Sequence, residues 1–485
     1  MKIHSVKYNF IMNSILTVSS ILFPLITFRY ISGVLLVEGS GKVAFAVSVL
    51  EYFTMFASLG IPTYGVRACA RVRDDKEKLS RTVQELLIIN TCTTAITYAV
   101  FFAALFLVPQ FAARREILFV MAISIGLNVI GVQWFYSALE QYSYITTCSI
   151  LFKIIGMILM FILVKNQDDY LIYGAVYVIA SFGSYALNFL RLHKFISFRK
   201  TGRYDFKKHL KSVAVFFAMS AGTSIYLNLD VVMLGFMKGE MDVGYYNAGV
   251  KVKSVLVTCV TSLGTVLLPR LSYYIEKDNH DAFLRMVTKA FNFVLVAASA
   301  VTLYFILFAK ESILLLAQKA FLPGTQPMII LMPTVLLIGL SNITGIQILT
   351  PMGQEKKVMY SIWGGAILDF ALNLVLIPRF AASGAAFSTL LAEVMVLGIQ
   401  CVFLKDMLKK MVGKLKIWKI GIGLTAGAVG ALIFKANTDM QVFPTLVISA
   451  LLFFGIYGGI LIALKEAFVM DILKSVSGLY SKRNQ

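Results

Sequence analysis

A chain of 485 residues with 58% hydrophobic and 14% charged side chains has a mean hydropathy of +0.79, whereas a water-soluble domain is about half apolar and a quarter charged. That composition excludes a soluble enzyme, and the net charge of +20 reads as membrane topology rather than nucleic-acid binding, because the cations fall in short connections between apolar runs. The five cysteines (Cys69, Cys92, Cys148, Cys259, Cys401) stand singly and His4, His193, His209 and His280 lie apart, so neither a disulfide framework nor a metal site is expected.

The first apolar run extends from about residue 10 to 37. Lys2 and Lys7 precede it as they would a secretory signal, but its length suits a retained helix. Pro24 removes one backbone hydrogen bond from it and predicts a bend, and Arg29 stands near its far end. The next run, 43–66, carries Glu51; those at 82–108, 116–138, 144–165, 170–190 and 212–237 follow, with Lys153 inside the fifth and Asp230 inside the seventh. A second series occupies 243–268, 284–309, 326–350, 358–377, 382–404, 416–435 and 442–464, and places Lys251 in the eighth run, Asp369 in the eleventh and Glu393 in the twelfth. Runs of roughly 20 apolar residues suit helices that cross a hydrocarbon core of about 30 Å. The fold class is an all-α polytopic membrane protein with about fourteen transmembrane helices.

Lys and Arg are retained on the cytoplasmic side of a membrane. Alternate connections hold Arg67 to Arg81, Arg191 to Lys211, Arg270 to Lys289, Lys356 with Lys357, and Lys405 to Lys419, whereas the opposite set has only scattered cations such as Lys42, Arg114, Lys310 and Lys435. Both termini are therefore expected inside. The stretch from Phe198 to Lys211 also has the composition of a polybasic strip that holds anionic headgroups.

Six helices per unit give two parallel lobes. The expected organisation is a lobe over 1–197, a basic linker over 198–211, a lobe over 212–405, and two additional helices with a cytoplasmic tail over 406–485. A weak internal repeat agrees, since the Gly-rich turn in Gly33–Ala46 resembles Leu234–Ala248, and Ser58-Leu59-Gly60 returns as Ser262-Leu263-Gly264. At a shift of about 201 residues Arg29 falls on Asp230 and Glu51 on Lys251. Charges inside a membrane are costly enough to be functional candidates, so these four are expected at an outer gate or on the substrate. Lys153 is placed to meet a diphosphate, and Asp369 and Glu393 to couple protons or sodium. Asn128, Gln133, Trp134, Tyr226, Asn228, Asn342, Gln347 and Asn373 supply polar groups for sugar hydroxyls or for interhelical hydrogen bonds.

Four segments carry a family resemblance: Phe56–Arg71, Gln133–Tyr142, Asn228–Gly235 with Val243–Lys251, and Asp369–Pro378 with Gly384–Glu393. Through them the chain resembles the Wzx-type polysaccharide flippases of the multidrug/oligosaccharidyl-lipid/polysaccharide exporter superfamily, departing at Ala138, where many relatives carry Gly. The resemblance implies two six-helix lobes around a cationic cavity, plus two extra helices. It implies translocation of undecaprenyl-pyrophosphate-linked oligosaccharide from the inner to the outer leaflet of a bacterial-type cytoplasmic membrane, by alternating access, during surface polysaccharide biosynthesis. Expected partners are that substrate, membrane lipids, and a polysaccharide polymerase with other assembly proteins. No catalytic residue, cofactor or nucleic acid is expected, and no P-loop is present. The competing readings are a peptidoglycan lipid-precursor flippase and a cation-coupled drug antiporter. Arg29 and Lys251 disfavour the second. A membrane glycosyltransferase would need a larger external loop than Lys310–Pro327.

Overall fold

Hydrocarbon offers no water to backbone N–H and C=O groups, so a spanning chain satisfies them within helices or closed barrels. The computed structural model describes residues 6–200, 202–412 and 416–471, and these are helical with no strand. Lys2, Lys414 and the tail past residue 471 lie outside the described residues.

The chain divides into two compact units, Met1–Gly244 and Tyr245–Gln485. In the first, α1 (Val6–Val34), α2 (Leu36–Ala70), α3 (Lys76–Leu107), α4 (Arg115–Ala138), α5 (Tyr142–Leu163), α6 (Tyr170–Leu192) and α7 (Lys207–Met237) follow the predicted runs in order. Helix α1 continues through Pro24, where Thr27 Oγ1 donates to the carbonyls of Phe23 (2.9 Å) and Pro24 (3.2 Å). Asp75 starts α3 as its cap, accepting the amides of Glu77 and Lys78; the Lys78 amide above all holds its carboxyl below the usual carboxylate range. At the end that bears the basic connections this unit has a buried core around Ile61, Leu86, Phe135 and Tyr136.

Helix α8 (Glu240–Glu276) leads into the second unit, followed by α9 (His280–Leu307) and α10 (Lys319–Leu349). Both α8 and α10 are bent by 41°, the latter at Pro333, which has no N–H to continue the ladder. The segment Glu355–Phe403 has 49 residues, which as one rod would measure about 73 Å at 1.5 Å per residue, more than twice a membrane core. It is not one rod. Ala381 adopts φ 48°, ψ −129°, and a Cβ on Gly384 would stand 2.4 Å from the carbonyl oxygen of Leu376. A continuous helix never brings positions eight apart into contact, so the chain doubles back, and only glycine fits the approach. The arms are α11 (355–380) and α12 (382–403). With α13 (Ile417–Asn437) and α14 (Val442–Ala463) there are fourteen spans among the described residues.

Helices α13 and α14 pack on α9 rather than standing apart: Tyr304 Oη donates to the Leu446 carbonyl (2.7 Å) and Tyr457 Oη to that of Val296 (2.9 Å). The connection expected to be a loop from Lys310 to Pro327 is itself helical over Ala309–Leu316 and Lys319–Gly324, with Phe321 buried. Three of the scattered cations of the opposite face are paired: Lys435 with Glu311 at 2.8 Å, Lys42 with Glu38 at 2.8 Å, and Arg114 with Glu240 at 2.7 Å.

Candidate functional site

Lys153 is the twelfth of the 22 residues of α5, which puts its charge at mid-span. Helix α1 packs beside α5, and the ammonium donates to Ser19 Oγ (3.0 Å) and Ser20 Oγ (2.8 Å). Each serine hydroxyl passes its own proton to the Leu16 carbonyl, at 2.7 and 2.9 Å, so its lone pairs are what the ammonium meets. Among the described residues no carboxylate lies within ion-pair distance of Lys153, and one N–H remains after the two serine bonds. Ser19 also lines, with Ser14, a groove of about 500 Å³ along the otherwise apolar face of α1 from Phe10 to Ile26. A mid-membrane cation at the edge of an apolar groove is suited to a phosphate that carries a hydrocarbon tail.

Glu51, in α2, is exposed. Tyr177 and Tyr185 of α6 lie within electrostatic reach of it. These tyrosines belong to a row at every fourth position, Tyr173, Tyr177, Ser181 and Tyr185, which rises about 18 Å along one side of the helix. Tyr173 stands beside Thr27 of α1, and Tyr177 beside Ser181 within the row. Phenol rings with hydroxyl tips offer both a stacking face and hydrogen bonds, the two features a sugar ring engages. Arg29 is exposed near the end of α1 and Asp230 is buried in α7.

In the second unit Lys251 is half-buried in α8. Asp369 on α11 and Glu393 on α12 are both buried, each twelve residues from the Ala381 reversal, and therefore at one height in the hairpin. Buried Asn373 and Thr389 stand eight residues from the reversal, and Thr389 Oγ1 meets Tyr246 Oη at 3.0 Å. Nearer the far ends Gln400 Nε2 donates to Ser361 Oγ (2.9 Å), while Thr344 Oγ1 bonds Gln400 Oε1. The hairpin thus carries polar rungs through an apolar interior, with the two carboxyl groups on one rung. Other amides serve packing: Asn128 Nδ2 donates to Ser58 Oγ across α4 and α2 (2.7 Å).

Three arrangements escaped the sequence reading. The tyrosine row was visible as spacing. Ser19 and Ser20 had no signal before α1 and α5 were brought together. The third is Glu85 in α3, completely buried, which receives Lys208 Nζ (2.7 Å), His209 Nε2 (2.8 Å), Arg81 Nε (3.0 Å) and the Asp205 amide (2.7 Å).

Residues 6–275 match the sequence profile of the family described as "Polysaccharide biosynthesis protein". Two relatives carry the name "Putative O-antigen transporter": one from Escherichia coli (strain K12), 23% identical over 404 residues, covering 83% of this chain and 97% of the relative, and one from Shigella dysenteriae, 24% identical over 396 residues, covering 80% and 98%. Among solved structures, the lipid II flippase MurJ in an inward closed conformation superposes with a TM-score of 0.72 at 14% identity, over 96% of this chain and all of that one. An inward-facing multidrug resistance MATE transporter of the MOP superfamily gives 0.60 at 13% identity, over 81% and 95%. The expected two-lobe helical fold is the fold these chains share.

Proposed function

Because the chain belongs to the polysaccharide biosynthesis protein family, we propose that it translocates an undecaprenyl-pyrophosphate-linked oligosaccharide from the inner to the outer leaflet of the cytoplasmic membrane by alternating access. The observation that carries this reading is Lys153, a mid-span cation held by two neutral hydroxyls, one of which, that of Ser19, lines an apolar groove. A charge there disfavours membrane insertion by about 2.5–3.5 kcal/mol, and a diphosphate is the ligand chemistry that offsets it. The groove offers hydrocarbon contact to the prenyl chain, and the tyrosine row of α6 offers stacking and hydrogen bonds to sugars. Arg29, Glu51, Asp230 and Lys251 fit the outer gate or the substrate path. Asp369 and Glu393, at one height in their hairpin, suit the binding of protons or sodium for coupling. Both termini would be cytoplasmic, and a polysaccharide polymerase with other assembly proteins would receive the product.

The likeness to the lipid II flippase and to the MATE transporter is one of fold, so substrate class must be measured. Proteoliposomes would be loaded in their membranes with a fluorescent lipid-diphosphate oligosaccharide, and the fraction newly exposed to an external glycosidase followed with time. The expected result is protein-dependent exposure of that substrate, well above that of a lipid-linked disaccharide-pentapeptide. Equal handling of the peptide-bearing lipid, or ion-driven export of a lipophilic cation without lipid exposure, would replace this reading with one of its competitors.

A further inference from the structure

The connection from α6 to α7 contains Lys194, Arg199, Lys200, Arg203, Lys207, Lys208 and Lys211 against a single acid, Asp205. Cations retained only to set topology act while the chain is inserting, and nothing requires them to share a fixed surface afterwards. Here they do share one. Gln84 Nε2 donates to the carbonyls of Ser197 (2.5 Å) and Arg199 (2.9 Å), and Tyr204 Oη donates back to Gln84 Oε1 (3.0 Å). The Ser197 amide reaches Ser80 Oγ (3.0 Å) and the Asp205 amide reaches buried Glu85 (2.7 Å). Lys208 and His209 complete the attachment through Glu85, and His209 Nδ1 meets Tyr64 Oη at 2.8 Å. The connection is strapped to the end of α3 along its length.

What the strap turns outward is the informative part. Lys200, Arg203, Lys207 and Lys211 are exposed, and among the described residues none has a carboxylate within ion-pair distance. Along the start of α7, Lys207, Leu210, Lys211, Ala214 and Val215 form one exposed stripe with three- and four-residue spacing, opposite buried His209 and Val213. Leu210 is 48% exposed and Val215 56%, and on the strap itself Phe198 is 52% exposed. Lysines followed within two turns by apolar side chains on the same face match a headgroup layer above acyl chains. Soluble polyanions offer nothing to the apolar half.

We propose that residues 194–211 are a docking strap for the acidic phospholipid headgroups of the leaflet they face, held open for that purpose by Gln84 and Glu85. A basic residue near such a surface strengthens binding by about fivefold. The affinity should weaken with salt as surface charges are screened.

The experiment uses the full-length protein in mild detergent, titrated with mixed micelles of phosphatidylglycerol or phosphatidylcholine while its Tm is followed, with bound lipid counted by native mass spectrometry. Wild type is expected to be stabilised selectively by phosphatidylglycerol, less so at high salt. Replacing Lys200, Arg203, Lys207 and Lys211 together by Gln should weaken that binding by about fivefold per cation removed. An Arg203→Lys variant should keep it, and a control neutralising Lys405, Lys409 and Lys410 should leave it intact. If the fourfold variant fails to fold, the Lys207→Gln/Lys211→Gln pair provides the same comparison. Unchanged preference for phosphatidylglycerol in the strap variants overturns the proposal. So does an equal response to inorganic pyrophosphate in the absence of lipid, which would make the strap a phosphate site for soluble ligand or for the substrate's own head.

Discussion

Replacing Lys153 by Met separates a substrate-binding cation from a packing cation, because the two roles predict opposite changes in stability. Met keeps the length of the stem and removes the charge, which relieves about 2.5–3.5 kcal/mol of unfavourable mid-membrane burial. The two bonds to Ser19 and Ser20 disappear, yet both hydroxyls still donate to the Leu16 carbonyl, so no buried donor is left unmade. Folding should be unchanged or improved, read as Tm in detergent. Transport should fall, since a charged hydrogen bond to a diphosphate contributes about 1.5–3 kcal/mol, a loss of roughly ten- to 150-fold in the initial rate at low substrate. Lys153→Arg should retain most of the rate, because charge is kept even if the two serine contacts shift. The assay is the proteoliposome exposure measurement with variant and wild type at equal protein density. A variant that is less stable but transports normally per folded molecule would refute the assignment and make the serine contacts structural.

Four further outcomes follow from particular contacts. Gly41→Ala should lower Tm by disrupting packing at a cost of about 3 kcal/mol, because its Cβ would sit 1.9 Å from the Glu240 carbonyl oxygen; an unchanged Tm would mean the two helix starts separate freely. Glu85→Gln should loosen the strap, with a cost of about 2–3 kcal/mol given that Arg81 and Lys208 partly reach solvent, and limited trypsin digestion should then cut first between Arg199 and Arg203. Asp369→Asn should remove any dependence of transport on a proton or sodium gradient while leaving lipid binding measurable, and persistence of that dependence would take Asp369 out of the coupling role. Exchanging the charges of Arg29 and Asp230 together should restore transport lost in each single exchange, and absence of rescue counts against their interaction.

The helical plan was legible because hydrocarbon leaves a backbone so few choices: a run of apolar residues long enough to cross is compelled into a helix whatever its neighbours do. Even the tight α11–α12 reversal showed, since Pro378 and Arg379 interrupt the apolar pattern just before Ala381. Charged site candidates were legible for the same reason, each being costly where it stands. Their partners were not. Ser19 and Ser20 lie 134 and 133 residues from Lys153, and serine is common enough in transmembrane helices to carry no signal of its own. Glu85 carried no signal in the sequence; contacts with Asp205, Lys208 and His209, more than a hundred residues away, show it as the fastening of the connection. At Pro24 the sequence showed the missing N–H, and the structure adds that α1 continues through it with the Thr27 hydroxyl bonded to the carbonyls of Phe23 and Pro24.

The two units solve the same problem of polar groups in hydrocarbon by different chemistry. In the first, a cation is left with hydroxyls alone, and phenols stand in a row beside an exposed carboxylate; such groups retain capacity to bond something that arrives. In the second, carboxyls, amides and hydroxyls are buried at matched heights along a hairpin, where an ion or proton is the only guest small enough to enter without repacking helices. That contrast predicts how damage should divide. Neutralising Lys153 or trimming Tyr177 to Leu should raise the substrate concentration needed for half-maximal transport. Neutralising Asp369 or Glu393 should instead leave that concentration nearly unchanged and lower the maximal rate under an ion gradient. If Tyr177→Leu altered the gradient dependence and Asp369→Asn altered the substrate concentration dependence, the division of roles between the units would be wrong, although the fold and family would stand.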